Sequence, residues 1–170
     1  NLLQKNDVES ISHFNPNGRK ISDDGKIFHG ADYGKRLLRK VHGKRSPLYE
    51  ALDVLEHDPD SRRAWVPILN WYYDGGDYSK EGNDVPCTVG FQLTVRNGYL
   101  DMQTVMRSQS VVGVLPYDTF FFTVLQELCA NELGLKLGVY EHICISAHIY
   151  EREYAMIEKM QEVYRDKGPV

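Results

Sequence analysis

Cysteine is scarce in this chain of 170 residues, and basic excess, long apolar runs and repeats are missing altogether. Its three cysteines, Cys87, Cys129 and Cys144, lack the spacing of a zinc site and cannot all pair, so no metal is expected and a reducing, cytoplasmic setting is. A net charge of −4 argues against a broad nucleic-acid surface, so any phosphate site must be built locally from a few arginines. No apolar stretch has the length of a membrane span and no secretory pattern opens the chain, which leaves no role for a membrane. Without repeats or low-complexity tracts, residues 1–170 read as a single domain. The chain starts at Asn1 rather than at methionine and ends on Gly-Pro-Val, so its native protein is expected to extend beyond it at one or both ends.

What is present is ordinary globular chemistry, with 42% hydrophobic and 26% charged residues. Residues 1–32 are polar and turn-rich, with NPNG at 15–18 and DDG at 23–25. The pattern predicts a short helix over 33–41. It predicts a second after Ser46-Pro47, a cap followed by proline at the first helical position, with Leu48, Leu52 and Leu55 as its apolar stripe and an end near Asp58-Pro59. A strand over 63–69, interrupted by Pro67, leads to a polar loop at 74–84. Over 87–96, alternation predicts a strand with Val89, Phe91, Leu93 and Val95 on one face and Thr88, Gln92 and Thr94 on the other. Asn97-Gly98 then signals a hairpin into a strand over 99–107. A helix over 116–134 shares Phe121, Val124, Leu125 and Leu128 on one face. A strand over 137–150 follows, with Ile143, Ile145, Ala147 and Ile149 on one side and His142, Cys144, Ser146, His148 and Tyr150 on the other. An amphipathic helix over 151–165 ends the pattern. The fold class is α/β of the mixed, α+β kind, without the strand–helix alternation of a doubly wound sheet.

Four groups of residues can carry chemistry. Cys87 follows Pro86 at the end of a polar loop; alone it reads as a small buried hydrophobe, and it becomes a nucleophile only where cationic neighbours lower its pKa. Arg62-Arg63 and Arg107-Ser108 are candidate anion contacts, since guanidinium groups match phosphate oxygens in pairs; a surface doublet has the same pattern. His148 and Tyr150 share the polar side of a strand, which either meets water or lines a cleft where imidazole and phenol bond a sugar hydroxyl. Asp118 stands just inside a helix start, where the macrodipole favours an acid.

Taken together, DPDSRR at 58–63, PC at 86–87, FQL at 91–93, RS at 107–108, LPYD at 115–118 and HIY at 148–150 resemble the thymidylate synthase superfamily, in order and in spacing. YGK at 33–35 is similar to a segment upstream, and the likeness runs from about residue 24 to 165. The resemblance implies a largely antiparallel sheet flanked by helices, packed at a homodimer interface. It implies that Cys87 adds to C6 of a pyrimidine nucleotide. Arg107 and Ser108 would hold the 5′-phosphate, with Arg62 and Arg63 reaching across from the partner subunit, and His148 and Tyr150 would hold the sugar. Tyr33 would take part in proton transfer, Gln92 would face the active-site side of the sheet, and 5,10-methylenetetrahydrofolate would be the one-carbon donor.

The synthases proper carry asparagine where this chain has Asp118. An amide matches the O4 acceptor and N3 donor of uracil, whereas a carboxyl group accepts from the amino group of cytosine and completes a second bond if it or N3 carries a proton. The same change marks the deoxycytidylate hydroxymethylase branch, in which water captures the transferred carbon. The expectation is thus folate-dependent 5-hydroxymethylation of dCMP or CMP. The alternatives are a divergent thymidylate synthase, a cytidylate C5-methylase, and a nucleotide-binding homologue impaired in catalysis. Thr88, Met106, Ser110 and Val114 depart from the synthase pattern around base activation and folate binding. The family's catalytic glutamate, one phosphate-loop arginine and the closing C-terminal tail are expected outside this stretch of sequence.

Overall fold

The computed structural model describes residues 7–9, 12, 22, 25–27, 32–40, 43, 45–70, 74 and 85–168. The turn at 15–18, most of 23–25 and the loop over 75–84 lie outside them. Helix α1, Tyr33–Leu38, is capped by Asp32, which accepts from the Lys35 amide at 3.1 Å. Arg36 then ties α1 down, donating to Ile68 O at 2.9 Å and to both oxygens of Asp74 at 2.7 Å. Helix α2, Pro47–His57, buries Leu48, Ala51, Leu52 and Leu55, the expected stripe. Ser46 occupies its N-cap, but the hydroxyl makes no cap bond; proline at the first turn has already removed one of the orphan donors.

Strands β1 (Trp65–Pro67), β2 (Thr88–Arg96), β3 (Tyr99–Met106) and β5 (Lys136–Cys144) form one sheet in the order β1-β2-β3-β5. The first two pairings are antiparallel and β3–β5 is parallel. Pro67 is tolerated because β1 is an edge strand. Gly90 is required where β1 crosses, since a Cβ there would lie 2.5 Å from Val66 O and 2.7 Å from the Trp65 ring. Asn97 and Gly98 both adopt positive φ, 53° and 80°, the geometry of a type I′ hairpin turn.

A register shift between Thr88 and Gly90 corrects the predicted faces of β2. The extra residue at Val89 turns Thr88 to the buried side with Phe91, Leu93 and Val95, while Val89 is only half-buried. Parallel pairing of β3 with β5 needs a crossover, supplied by α3, Leu115–Glu132. Its buried face is Phe122, Leu125, Gln126, Cys129 and Ala130, so the predicted stripe is displaced: Phe121 is half-buried, and Val124 and Leu128 are exposed. The cause is Gln126, whose amide donates to Leu100 O at 2.8 Å and Val139 O at 3.0 Å, linking β3 and β5 where their register slips. A pattern that counts only apolar residues cannot see an amide recruited to the core.

The strand predicted over 137–150 is two. It breaks at Ile145-Ser146, where Ile145 still donates to Met106 O but Ser146 O accepts from Gln109, so the chain changes partner from β3 to β4, Gln109–Ser110. The second piece, β6 (Ala147–His148), pairs with β4 in parallel. Within β5 the sides are also reversed from a simple hydrophobic reading: His142 and Cys144 are half-buried, while Ile143 is exposed. A 3₁₀ turn, Glu151–Glu153, leads into α4, Tyr154–Lys167, which buries no residue in the single chain. No described helix is long and apolar enough to cross a membrane.

Candidate active site

Antiparallel pairing of Thr88 with Met106 sets Cys87, just before β2, opposite Arg107, just after β3. The Arg107 amide donates to Cys87 O at 2.9 Å, and its guanidinium donates through Nε to Pro86 O at 2.9 Å and from Nη2 to Val85 O at 3.3 Å. Arg107 is therefore fastened to the segment that carries Cys87. Burial pushes the Cys87 thiol up, the Arg107 charge pulls it down, and Asp118 pushes it up again. A thiol so placed is mostly protonated at neutral pH and responds to any charge brought beside it.

Tyr33 enters from α1, with its hydroxyl 2.9 Å from Thr88 Oγ1; that oxygen is also 3.2 Å from Met106 Sδ. The Tyr33 ring packs 6.0 Å from Phe121 and 6.2 Å from Phe122. Burial first, then the charges of Asp118 and Cys87, raise the phenol well above its ordinary range, so it stays a neutral hydroxyl that can donate. The bulge at Val89 makes this contact possible, because in a regular strand Thr88 would face away.

Asp118 lies in the first turn of α3, half-buried, and its carboxyl is pushed up to about 6 because burial disfavours the charge. Gln109 opposes that, donating from Nε2 to Asp118 Oδ2 at 2.9 Å. Gln109 is 1% exposed, and its Oε1 is 3.0 Å from His142 Nε2; His142 Nδ1 is 2.6 Å from the Tyr140 hydroxyl. Burial lowers His142 and pushes Tyr140 up to about 12, with the Thr104 hydroxyl partly opposing the latter and the charges of Asp118 and Cys144 adding to it. Thr88, Gln109 and Tyr140 were not singled out as site residues from the sequence, and His142 was placed only on the polar side of a strand. The signal was there for Gln109, a polar residue directly after Arg-Ser, but its partners lie far along the chain.

Of the residues singled out from the sequence, the fold gathers Cys87, Arg107, Tyr33 and Asp118 around one mouth of the sheet. Ser108 follows Arg107 in the turn to β4 and is half-buried. His148 pairs in register with Ser110, and its ring stacks edge-on against Tyr150 at 4.9 Å, with Arg152 4.0 Å over the Tyr150 ring. Arg62 and Arg63 are exposed before the edge strand β1, and their side chains hold no hydrogen bond or ion pair among the described residues. Gln92 lies in mid-strand opposite Trp65 and Gln103, on the side away from Phe91 and Leu93, and donates to Leu93 O at 3.1 Å. The fold brings neither the arginine pair nor Gln92 to Cys87 within the single chain. No group of three or more histidine, cysteine or carboxylate residues fit to hold a metal occurs among the described residues.

Comparison with known proteins joins this geometry to a family. The sequence profile described as Thymidylate synthase matches residues 4–169. The deoxyuridylate hydroxymethyltransferase of Bacillus phage SP01 is 29% identical over 185 residues, covering 99% of this chain and 48% of that protein. The deoxyuridylate hydroxymethyltransferase of Pseudomonas phage M6 is 32% identical over 150 residues, covering 86% of this chain and 41% of that protein. Among solved structures, the thermostable thymidylate synthase A from Bacillus subtilis superposes with a TM-score of 0.70 at 26% identity, over 95% of this chain and 58% of that one. This chain thus spans about half the length of the phage proteins it matches.

Proposed function

The chain belongs to the thymidylate synthase family, and from that premise we propose that its protein catalyses folate-dependent 5-hydroxymethylation of a cytidine 5′-monophosphate, dCMP or CMP. The observation that carries the choice of base is Asp118: a half-buried carboxyl with no lysine or arginine paired to it among the described residues, pushed up to about 6. Such a group changes charge near neutrality. Ionised, it accepts from the cytosine amino group; protonated, it also has a hydrogen to give N3. Facing uracil, the ionised form would meet O4 with no donor between them, which is strongly unfavourable in a desolvated site.

The reading assigns the other groups by their chemistry. The Cys87 thiolate forms a bond to C6, which moves the electron pair of the C5–C6 double bond toward C5 and makes that carbon nucleophilic. Arg107 lowers the thiol and, with Ser108, offers donors to the 5′-phosphate. His148 and Tyr150 hold the sugar 3′-hydroxyl, and Tyr33, kept neutral by burial, is suited to passing a proton near the base. C5 would take up the one-carbon unit and give up its hydrogen as a proton. The carbon then parts from its carrier's amine, and water adds to it as the sulfur–C6 bond breaks, which leaves the hydroxymethyl group on C5 and returns the thiolate. The one-carbon donor is 5,10-methylenetetrahydrofolate, which supplies an electrophilic methylene carbon. The Ser110 hydroxyl and the Glu153 carboxylate, both beside Gly113, provide acceptors of the kind its amino and amide groups need.

A homodimer belongs to the same reading. Arg62 and Arg63, exposed and without a side-chain hydrogen bond or ion pair among the described residues, would serve the phosphate site of the partner subunit, and exposed Val139, Ile143 and Ile145 offer apolar area for contact between copies. A deoxyuridylate substrate is the second reading, favoured by the names of the phage relatives. Release of tritium from C5-labelled dCMP, CMP and dUMP, with the product mass, separates the two. Release from a cytidine nucleotide with a gain of one hydroxymethyl group is expected; release from dUMP alone would overturn the cytidylate reading.

A further inference from the structure

Among the described residues Asp118 accepts from one donor, Gln109, and that donor is held by residues from another element. Gln109 comes from β4, while His142 and Tyr140 come from β5. The order Tyr140–His142–Gln109–Asp118 has one consistent polarity when the carboxylate is charged. An ionised carboxylate can only accept, so the Gln109 amide must turn its NH2 to Oδ2. Gln109 Oε1 then needs a donor, which makes His142 carry its hydrogen on Nε2 and leaves Nδ1 to accept from the Tyr140 hydroxyl. Burial keeps His142 neutral, and a neutral ring with one donor and one acceptor is what the chain requires.

We propose that Gln109, locked in orientation by His142 and Tyr140, is a specificity-determining positioning residue: it presents a fixed N–H to Asp118 Oδ2 and so decides which carboxyl oxygen, and in which charge state, meets the nucleotide base. Because Oδ2 is occupied, the base meets the other oxygen, and any proton on Asp118 is directed there. A glutamine free to flip would let Asp118 rotate and present either oxygen, with either hydrogen-bonding sense. The buried seat of Gln109 removes that freedom. For its role in choosing cytosine the inference rests on the cytidylate reading; for its effect on Asp118 it does not.

Among the described residues, the titratable groups that face Asp118 are Tyr33 from α1, Cys87 ahead of β2, and Tyr140 and Cys144 from β5, with His142 acting through Gln109. All are neutral near pH 7 when burial raises the phenols and thiols and lowers the imidazole, so Gln109 is the group that favours the charged carboxylate. The test follows the carboxyl carbon of Asp118 by ¹³C NMR against pH, together with affinities for dCMP, CMP and dUMP, in the wild-type protein, Gln109→Met and His142→Phe. Both variants are expected to raise the midpoint of Asp118 and to reduce discrimination between cytosine and uracil nucleotides by about tenfold, the effect of one hydrogen bond to a charged group. An unchanged midpoint in His142→Phe, which keeps Gln109 in place but unlocks it, would overturn the relay even if Gln109→Met fails to fold. If the midpoint moves while the wild-type protein prefers dUMP, the positioning role stands and the cytidylate reading falls.

Discussion

The two ends of the β2–β3 hairpin obey different rules. At the turn end, Asn97 and Gly98 take the left-handed conformation, the strands alternate regularly, and neighbours in space are neighbours in sequence. At the open end a bulge reverses Thr88, and Cys87, Arg107, Tyr33, Asp118, Gln109 and His142 converge from separate elements. The turn end is specified locally. The open end exists only once helices α1 and α3 and strand β5 have docked, and there the polar groups satisfy one another rather than water.

Four substitutions probe that contrast. Cys87→Ser should lower C5 tritium release by about three orders of magnitude while leaving nucleotide binding in place, because an unactivated hydroxyl is a poor nucleophile; a rate within tenfold of wild type would remove Cys87 from the reaction. Phe122→Ala, which empties the aromatic cluster of Tyr33, Phe91 and Phe121 beneath the open end, should destabilise by about 3–5 kcal/mol in urea titrations. A loss below about 1 kcal/mol would mean the cluster collapses to refill the space.

Asp118→Asn should act in proportion to pH. The folded protein holds this carboxyl near 6, above its ordinary 3.8, so charging it opposes folding. That penalty is absent below the unfolded value, grows through the interval, and is complete above the folded one. The asparagine variant should be more stable by about 3 kcal/mol above pH 7 and equal near pH 3.5. The same change removes a negative charge beside Cys87, so iodoacetamide should label the thiol faster at pH 7.5; slower labelling would contradict the electrostatics. The smallest effect belongs to the turn end: Asn97→Ala, forced to keep a φ of 53°, should lose about 1 kcal/mol and leave Cys87 labelling unchanged. Altered labelling would show that the two ends are coupled.

Legibility follows the same division. The apolar stripe of α2, the Asn-Gly turn and both strands of the hairpin were readable because each depends on local periodicity. The face of α3 was not, because Gln126 is drawn inward to two strand carbonyls that no local pattern reveals. Nor was the break at Ile145-Ser146, which comes from exchanging one hydrogen-bonding partner strand for another. Cys87, Arg107, Tyr33 and Asp118 could be named from motif order, whereas Gln109 and Tyr140 could not, since their contacts span the chain.

The sequence by itself determined the element types, the hairpin turn and the candidate nucleophile, because turn chemistry and alternation act over a few residues. Only the tertiary structure decided the environment of Asp118. Its charge state depends on burial by α3 and β5 and on one amide oriented from β4, and burial and orientation are properties of packed neighbours rather than of the residue itself.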